Sequence, residues 1–147
     1  MPESLVTVAQ VQACMDMDGF GYAKTMAIRI AATWSGGCDA HMDIHDGLLR
    51  PGGTVAGPVL FGLADAAMWG AAMTVHADGV QSVTSDMTIH FLRRPQGTVL
   101  KCRASVIKPG RRLIVCRAEL SCDDDPAIVG ACQCTYAVPG HPIITTS

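Results

Sequence analysis

The chain has 147 residues, 49% of them apolar and 16% charged, with a formal net charge of −2. That length makes one domain over 1–147, large enough to bury about two-thirds of its surface, and the apolar content excludes a disordered chain. A near-neutral balance with no basic tract excludes a duplex-binding protein, so no nucleic-acid partner is expected.

In chain order, Leu5, Val8, Val11 and Met15 are spaced for one face of a short helix, with Ser4 as its N-cap. The turn Asp16-Met17-Asp18-Gly19 ends it. Met26 to Trp34 reads as a strand, Gly36-Gly37 as a hairpin turn, and Cys38 to His45 as the returning strand. Gly47 to Gly57 is a loop around Pro51-Gly52-Gly53. Gly57-Pro58 then opens a helix that runs to Val75, with Gly57 as N-cap and Pro58 at the first position. It is apolar or small all round, so protein surrounds it. The run Val55 to Val75 approaches membrane-spanning length, but Asp65 and Pro58 interrupt it. A helix buried in a protein core is expected, and no membrane partner. After Asp78-Gly79 the period becomes two. Met87, Ile89 and Phe91 alternate with polar residues, and strands follow at Val99 to Ile107, Leu113 to Ser121 and Ile128 to Val138. Read as consecutive hairpins, these make an antiparallel sheet curled around one helix, an α+β fold.

The scarcity of charge, against roughly 25% in an ordinary soluble domain, predicts that part of the surface is covered by a second copy. Met1-Pro2-Glu3-Ser4 lacks the cationic start and apolar run of a signal peptide. The seven cysteines include no CxxC pair, and several sit in apolar strand-like runs. Reduced thiols and a cytoplasmic location are therefore expected.

Asp65 is the one charged residue between Arg50 and Asp78. It lies two turns into the helix, beyond the reach of capping or of the dipole. Its helical neighbours Phe61, Gly62, Met68 and Trp69 offer no partner, and a buried unpaired carboxylate costs several kcal/mol. Either it sits at a cleft edge or on a distant backbone N–H, or it is a catalytic carboxylate at a subunit seam. Gly57 is a plain cap, or else its N–H polarises a carbonyl at the helix N-terminus. Eight residues of helix span about 12 Å, so one chain's Gly57 and Asp65 cannot both touch one carbonyl. A two-fold dimer with antiparallel helices would bring Asp65 of one protomer towards Gly57 of the other, giving two identical sites.

This arrangement resembles the hotdog-fold acyl-CoA thioesterases, in particular the phenylacetic-acid-degradation type. The residues that carry the likeness are Ala56-Gly57-Pro58 followed by Phe61-Gly62-Leu63-Ala64-Asp65, and the strand from Ser85 to Pro95. Gly110-Arg111-Arg112-Leu113 and Val129-Gly130-Ala131-Cys132 extend it to roughly residues 20 to 138. The resemblance implies a five- or six-stranded antiparallel sheet wrapped around the central helix, with the short N-terminal helix outside. It also implies a homodimer, often paired into a homotetramer. It carries carbonyl polarisation to Gly57, the role of base or nucleophile to Asp65, and an assisting hydroxyl to Thr84. Two departures stand out: Ala56 replaces the family's motif His, and Pro58 its second Gly, which leaves the Gly57 N–H intact. Arg50 falls near the family's usual amide residue and could orient water or a carboxylated substrate.

The implied reaction is hydrolysis of an acyl-CoA thioester carrying a small, medium-chain or aromatic acyl group, with coenzyme A as part of the substrate and no separate cofactor. Phe61, Met68 and Trp69 suggest an apolar acyl pocket beside Ala56 and Pro58, though core packing would use the same residues. Arg93, Arg94, Lys108, Arg111 and Arg112 fall at strand ends and could pair with coenzyme A phosphates, or be exposed hairpin cations. A non-catalytic binder of acyl-CoA or aromatic ligands is the alternative. His41, Asp43 and His45 share one strand face and could bind a metal. A solvent-facing strand shows the same period, so no metal site is expected.

Overall fold

The computed structural model describes residues 2–145. Three helices, α1 (Val8–Met15), α2 (Gly21–Met26) and α3 (Gly57–Met73), accompany eight strands. Six of these form one sheet: β1 (Arg29–Trp34), β2 (Gly37–Asp43), β5 (Val83–Phe91), β6 (Val99–Pro109), β7 (Leu113–Cys122) and β8 (Asp125–Ala137). The short pair β3 (Leu49–Arg50) and β4 (Thr54–Val55) lies in the loop before α3. The large sheet has the order β1-β2-β6-β7-β8-β5, antiparallel throughout, and it wraps α3 in the hotdog arrangement.

The core follows from the period of two. Cys38, Ala40 and Met42 on β2, Leu100, Cys102 and Ala104 on β6, and Ile114, Cys116, Ala118 and Leu120 on β7 all point inward and are buried. They meet the small residues of α3. A Cβ at Gly70 would come within 2.8 Å of Cys38 Sγ, so glycine is what lets the helix lie this close to β2. No helix of the described residues is long and apolar enough to cross a membrane. All seven cysteines are free.

Local details differ from expectation where short-range chemistry was ambiguous. Thr7, not Ser4, caps α1: its hydroxyl accepts from Gln10 N while the Gln10 side chain accepts from Thr7 N, a reciprocal capping box. Ser4 instead closes a turn on Val6. The six-residue helix α2 carries too few turns to show a period, and it takes up the start of the segment read as a strand. The hairpin turn sits one residue earlier than predicted, on Ser35-Gly36, with Gly37 already paired to Trp34. Ala56 is the N-cap of α3, so Gly57 occupies the first helical position and Pro58 the second.

The larger correction is topological. β5 and β6 do not form a hairpin. β5 lies at the sheet edge against β8, and β6 joins the first hairpin through β2. The long last strand, 13 residues, pairs with β7 on one side and β5 on the other. Each strand's alternation was legible locally, but alternation does not say which strand is the neighbour.

Candidate active site

Asp65 sits half-buried on α3, facing β5 and β8. Thr84 Oγ1 donates to its Oδ1 at 2.9 Å, and the Tyr136 hydroxyl donates to the same oxygen at 2.7 Å. The Tyr136 hydroxyl also reaches the Asp65 backbone carbonyl at 2.5 Å. The carboxylate therefore has partners from its own chain, supplied by strands rather than by the helix. Among the described residues, Oδ2 takes no hydrogen bond. Oδ1 is anchored and Oδ2 is left free, a geometry suited to taking a proton from water or attacking an electrophile.

Tyr136 is 2% exposed, one of the largest buried side chains. Burial, together with the charge of Asp65, pushes its phenol well above the ordinary value of 10.0, so it stays a donor. Tyr136→Phe removes a hydrogen bond to a charged group, which is worth about 1.5–3 kcal/mol, and a denaturant titration should read that loss. The raised phenol is neutral in the folded state and ionises more easily once unfolded. Its stabilisation is thus full below pH 10.0 and fades as pH rises beyond it. The variant should show a shallower alkaline loss of stability than the wild type.

Two depressions meet at Asp65. One, of about 460 Å³, is lined by Asp65, Thr84 and Tyr136, by Trp69 and Phe20, and by Ile144. Its walls are mostly apolar. Phe20 and Trp69 meet edge to face at 5.6 Å, and Trp69 Nε1 donates to the Gly79 carbonyl at 3.2 Å. The other, an open groove of about 620 Å³, is lined by Asp65, Gly57, Pro58, Phe61, Tyr22 and Phe91. Tyr22 lies across the helix where a Cβ on Gly62 would collide with it, and its hydroxyl donates to the Pro58 carbonyl at 3.3 Å. Burial, and secondarily Asp65, raise the Tyr22 phenol as well.

Gly57 opens this groove at the positive end of α3. As the first helical residue it has no intrahelical acceptor for its N–H, and among the described residues nothing else takes it. A third depression, about 540 Å³, continues from Gly57 and Phe91 to Arg50, Arg93 and Arg94. Arg94 donates to the Gly52 carbonyl at 3.1 Å. Among the described residues, none of these three arginines forms an ion pair. Thr54 Oγ1, at the same wall, is buried with no hydrogen-bond partner among the described residues.

Other expected residues lie elsewhere. Met68 is fully enclosed in the core and reaches none of the three depressions, because it points to the sheet side of α3. Ala56 caps the helix, with its N–H bonded to Leu48. The expected arginine cluster splits. Arg111, whose carbonyl meets the His76 ring at 2.8 Å, and Arg112 lie by the C-terminal end of α3, whereas Arg93 and Arg94 lie by its N-terminal end. The helix between them has 17 residues, about 25 Å of rise. His41, Asp43 and His45 do not converge either. Asp43 pairs with Arg29 at 3.1 Å and His45 Nδ1 accepts from Gly47, and no metal-holding cluster occurs among the described residues.

Sequence reasoning missed Tyr136 and Tyr22. Tyr136 continues the inward run Cys132, Cys134, so its direction was legible, but its meeting with Asp65 depends on the β8 register. Tyr22 belongs to the overlooked α2.

Residues 52–129, just over half of the chain, match the thioesterase superfamily. A search of curated proteins finds no match. Among solved structures, a protein from Silicibacter sp. TM1040 described as a candidate thioesterase is 27% identical. It superposes with a TM-score of 0.80 over 93% of this chain and 94% of that one. A conserved protein from Pseudomonas aeruginosa is also 27% identical, with a TM-score of 0.76 over 86% of this chain and 97% of that one. The Escherichia coli PaaI protein, from the phenylacetic acid degradation operon, shares the fold at 22% identity. Its TM-score is 0.77 over 93% of this chain and 99% of that one. The matched segment holds α3 with Gly57 and Asp65, and Thr84 on β5, so the chain belongs to the thioesterase superfamily, and its chemistry is that of thioester hydrolysis.

Proposed function

We propose that the protein hydrolyses acyl-CoA thioesters at a site shared between two protomers. The observation that carries this reading is the anchored carboxylate of Asp65, with one free oxygen, at the junction of an apolar pocket and an open groove. The acyl group enters the pocket beside Phe20 and Trp69. The thioester carbonyl rests on a Gly57 N–H, which stabilises the negative oxygen that forms on attack. Asp65 Oδ2 takes a proton as water adds to the carbonyl carbon, or itself adds to that carbon, giving, once the thiolate has left, a mixed anhydride that water hydrolyses to the free acid and the Asp65 carboxylate. The C–S bond then breaks and coenzyme A leaves as a thiolate, a good leaving group because thiols ionise near 8.5. The phosphates of coenzyme A lie along Arg50, Arg93 and Arg94, where guanidinium groups suit them.

A second copy completes the site. Gly57 and Asp65 of one chain stand about 12 Å apart on one helix, too far to serve one carbonyl. β5 is an edge strand whose outer hydrogen-bonding side pairs with no strand among the described residues, and Phe61, Phe91 and Leu92 are exposed beside it, Phe91 and Leu92 by 56% each. An apolar edge of this kind is a template for strand pairing. A homodimer formed there juxtaposes the two helices, and two such dimers can pair into a tetramer. Seven unpaired thiols fit a reducing compartment such as the cytoplasm.

The test is hydrolysis of a panel of straight-chain and aromatic acyl-CoAs, followed with a thiol reagent. Turnover of at least one member is expected. Saturable binding with no turnover of any would overturn the reading in favour of a ligand-binding protein.

A further inference from the structure

One wall of the acyl pocket comes from a segment outside both α3 and the sheet. Ile144, half-buried, lines it from the C-terminal stretch that follows β8. That stretch is held by one side chain. Gln81 Oε1 accepts from Ile143 N at 2.9 Å and from Ile144 N at 2.7 Å, while its Nε2 donates to the Ile144 carbonyl at 2.9 Å. Three hydrogen bonds use both ends of the amide, as a neighbouring strand would.

Gln81 is itself on a firm base. It closes the 3-10 turn Gly79–Gln81, which is packed so tightly on the end of α3 that a Cβ at Gly79 would sit 2.7 Å from Met73 Cα. The Gly79 carbonyl also accepts from Trp69 Nε1 and from Ser82 Oγ. One turn therefore positions two walls of the pocket, Trp69 and Ile144. Both lie away from the carboxylate. Trp69 is four residues beyond Asp65, about 6 Å along the helix, and Gln81 precedes Thr84 by three residues. A chain entering past Asp65 and Thr84 runs towards Ile144.

We propose that Ile144, clamped by Gln81, is the stop that sets acyl length in this pocket. The inference rests on the thioesterase reading for its substrate, but the stop is a property of the pocket and can be read without turnover. The clamp gives up its three hydrogen bonds in Gln81→Ala, which frees the segment. Ile144→Ala shortens the stop, and Ile144→Trp lengthens it. Both positions are peripheral to the core, and the two alanine variants reach the same end by independent routes.

Two measurements are made on full-length protein: kcat/KM over saturated acyl-CoAs from four to twelve carbons, and calorimetric binding of the corresponding alkanoic acids. Each methylene accommodated or refused in an apolar pocket changes discrimination by about tenfold or more. Gln81→Ala and Ile144→Ala should shift the length optimum upward, raising the long-to-short preference by about tenfold. Ile144→Trp should shift it downward by a similar factor. A length optimum that is unchanged in all three variants, by binding as well as by turnover, overturns the proposal. If wild-type protein turns over no thioester, the thioesterase reading falls, and the binding series alone decides whether Ile144 is the stop.

Discussion

Asp65→Asn should reduce kcat on the best acyl-CoA by about 10²–10⁴-fold, the range expected when a positioned base is removed. The substitution is close to a pure chemical change. The asparagine Oδ1 still accepts from Thr84 and Tyr136, so the side chain keeps its anchor. The amide replaces only Oδ2, to which nothing among the described residues bonds. Thermal unfolding should fall by only a few degrees, because neutral hydrogen bonds replace charge-assisted ones, and KM should change little, because asparagine keeps the shape of Asp65 in the pocket wall and the arginines are unchanged. Stopped or continuous assays with a thiol reagent read the first quantity, and scanning calorimetry the second. A variant that kept more than a tenth of the wild-type kcat would remove Asp65 from the chemistry.

Replacing Gly57 by proline should cost about 10²–10³-fold in kcat, the loss seen when one oxyanion donor is deleted. Position 57 itself precedes Pro58, so any Cβ there is crowded in the helical region, a cost that the alanine control reads separately from the loss of the N–H. Ala56 is extended, φ −66° and ψ 142°, as a residue before proline prefers, and proline suits the first helical position. The added Cβ meets Phe91 Cζ at 3.3 Å, and Phe91 is an exposed ring that can shift by a few tenths of an ångström. Gly57→Ala is the control: it adds the same Cβ, keeps the N–H, and should retain most of the activity. Mixing Gly57→Pro with Asp65→Asn subunits tests the shared site directly. In a heterodimer one of the two sites draws both intact residues, so random mixing should restore about a quarter of the wild-type rate. No recovery in confirmed heterodimers would show that each site draws Gly57 and Asp65 from a single protomer.

Both residues are legible in the amino-acid sequence because their signals are local. A carboxylate two turns inside an apolar helix is out of place on its own element, and Gly-Pro at a helix start exposes an N–H whatever surrounds it. The small residues of α3 and the alternation within each strand likewise announce a helix enclosed by a sheet. These features depend on backbone periods of 3.6 and 2, which a few consecutive residues display.

What satisfies the carboxylate is not legible there. Tyr136 meets Asp65 across 71 positions of sequence and Thr84 across 19, and both contacts depend on β5 pairing with β8 instead of with β6. The same topology sends Arg93 and Arg94 to one end of α3 and Arg111 and Arg112 to the other, although all four fall at strand ends in the chain. By itself the sequence determined the central helix, the six long strands, the alternation of their side chains and where an unusual acid must lie. Only the tertiary structure decided who its neighbours are, because strand pairing and register come from contacts between distant segments, and no local period encodes the choice of partner.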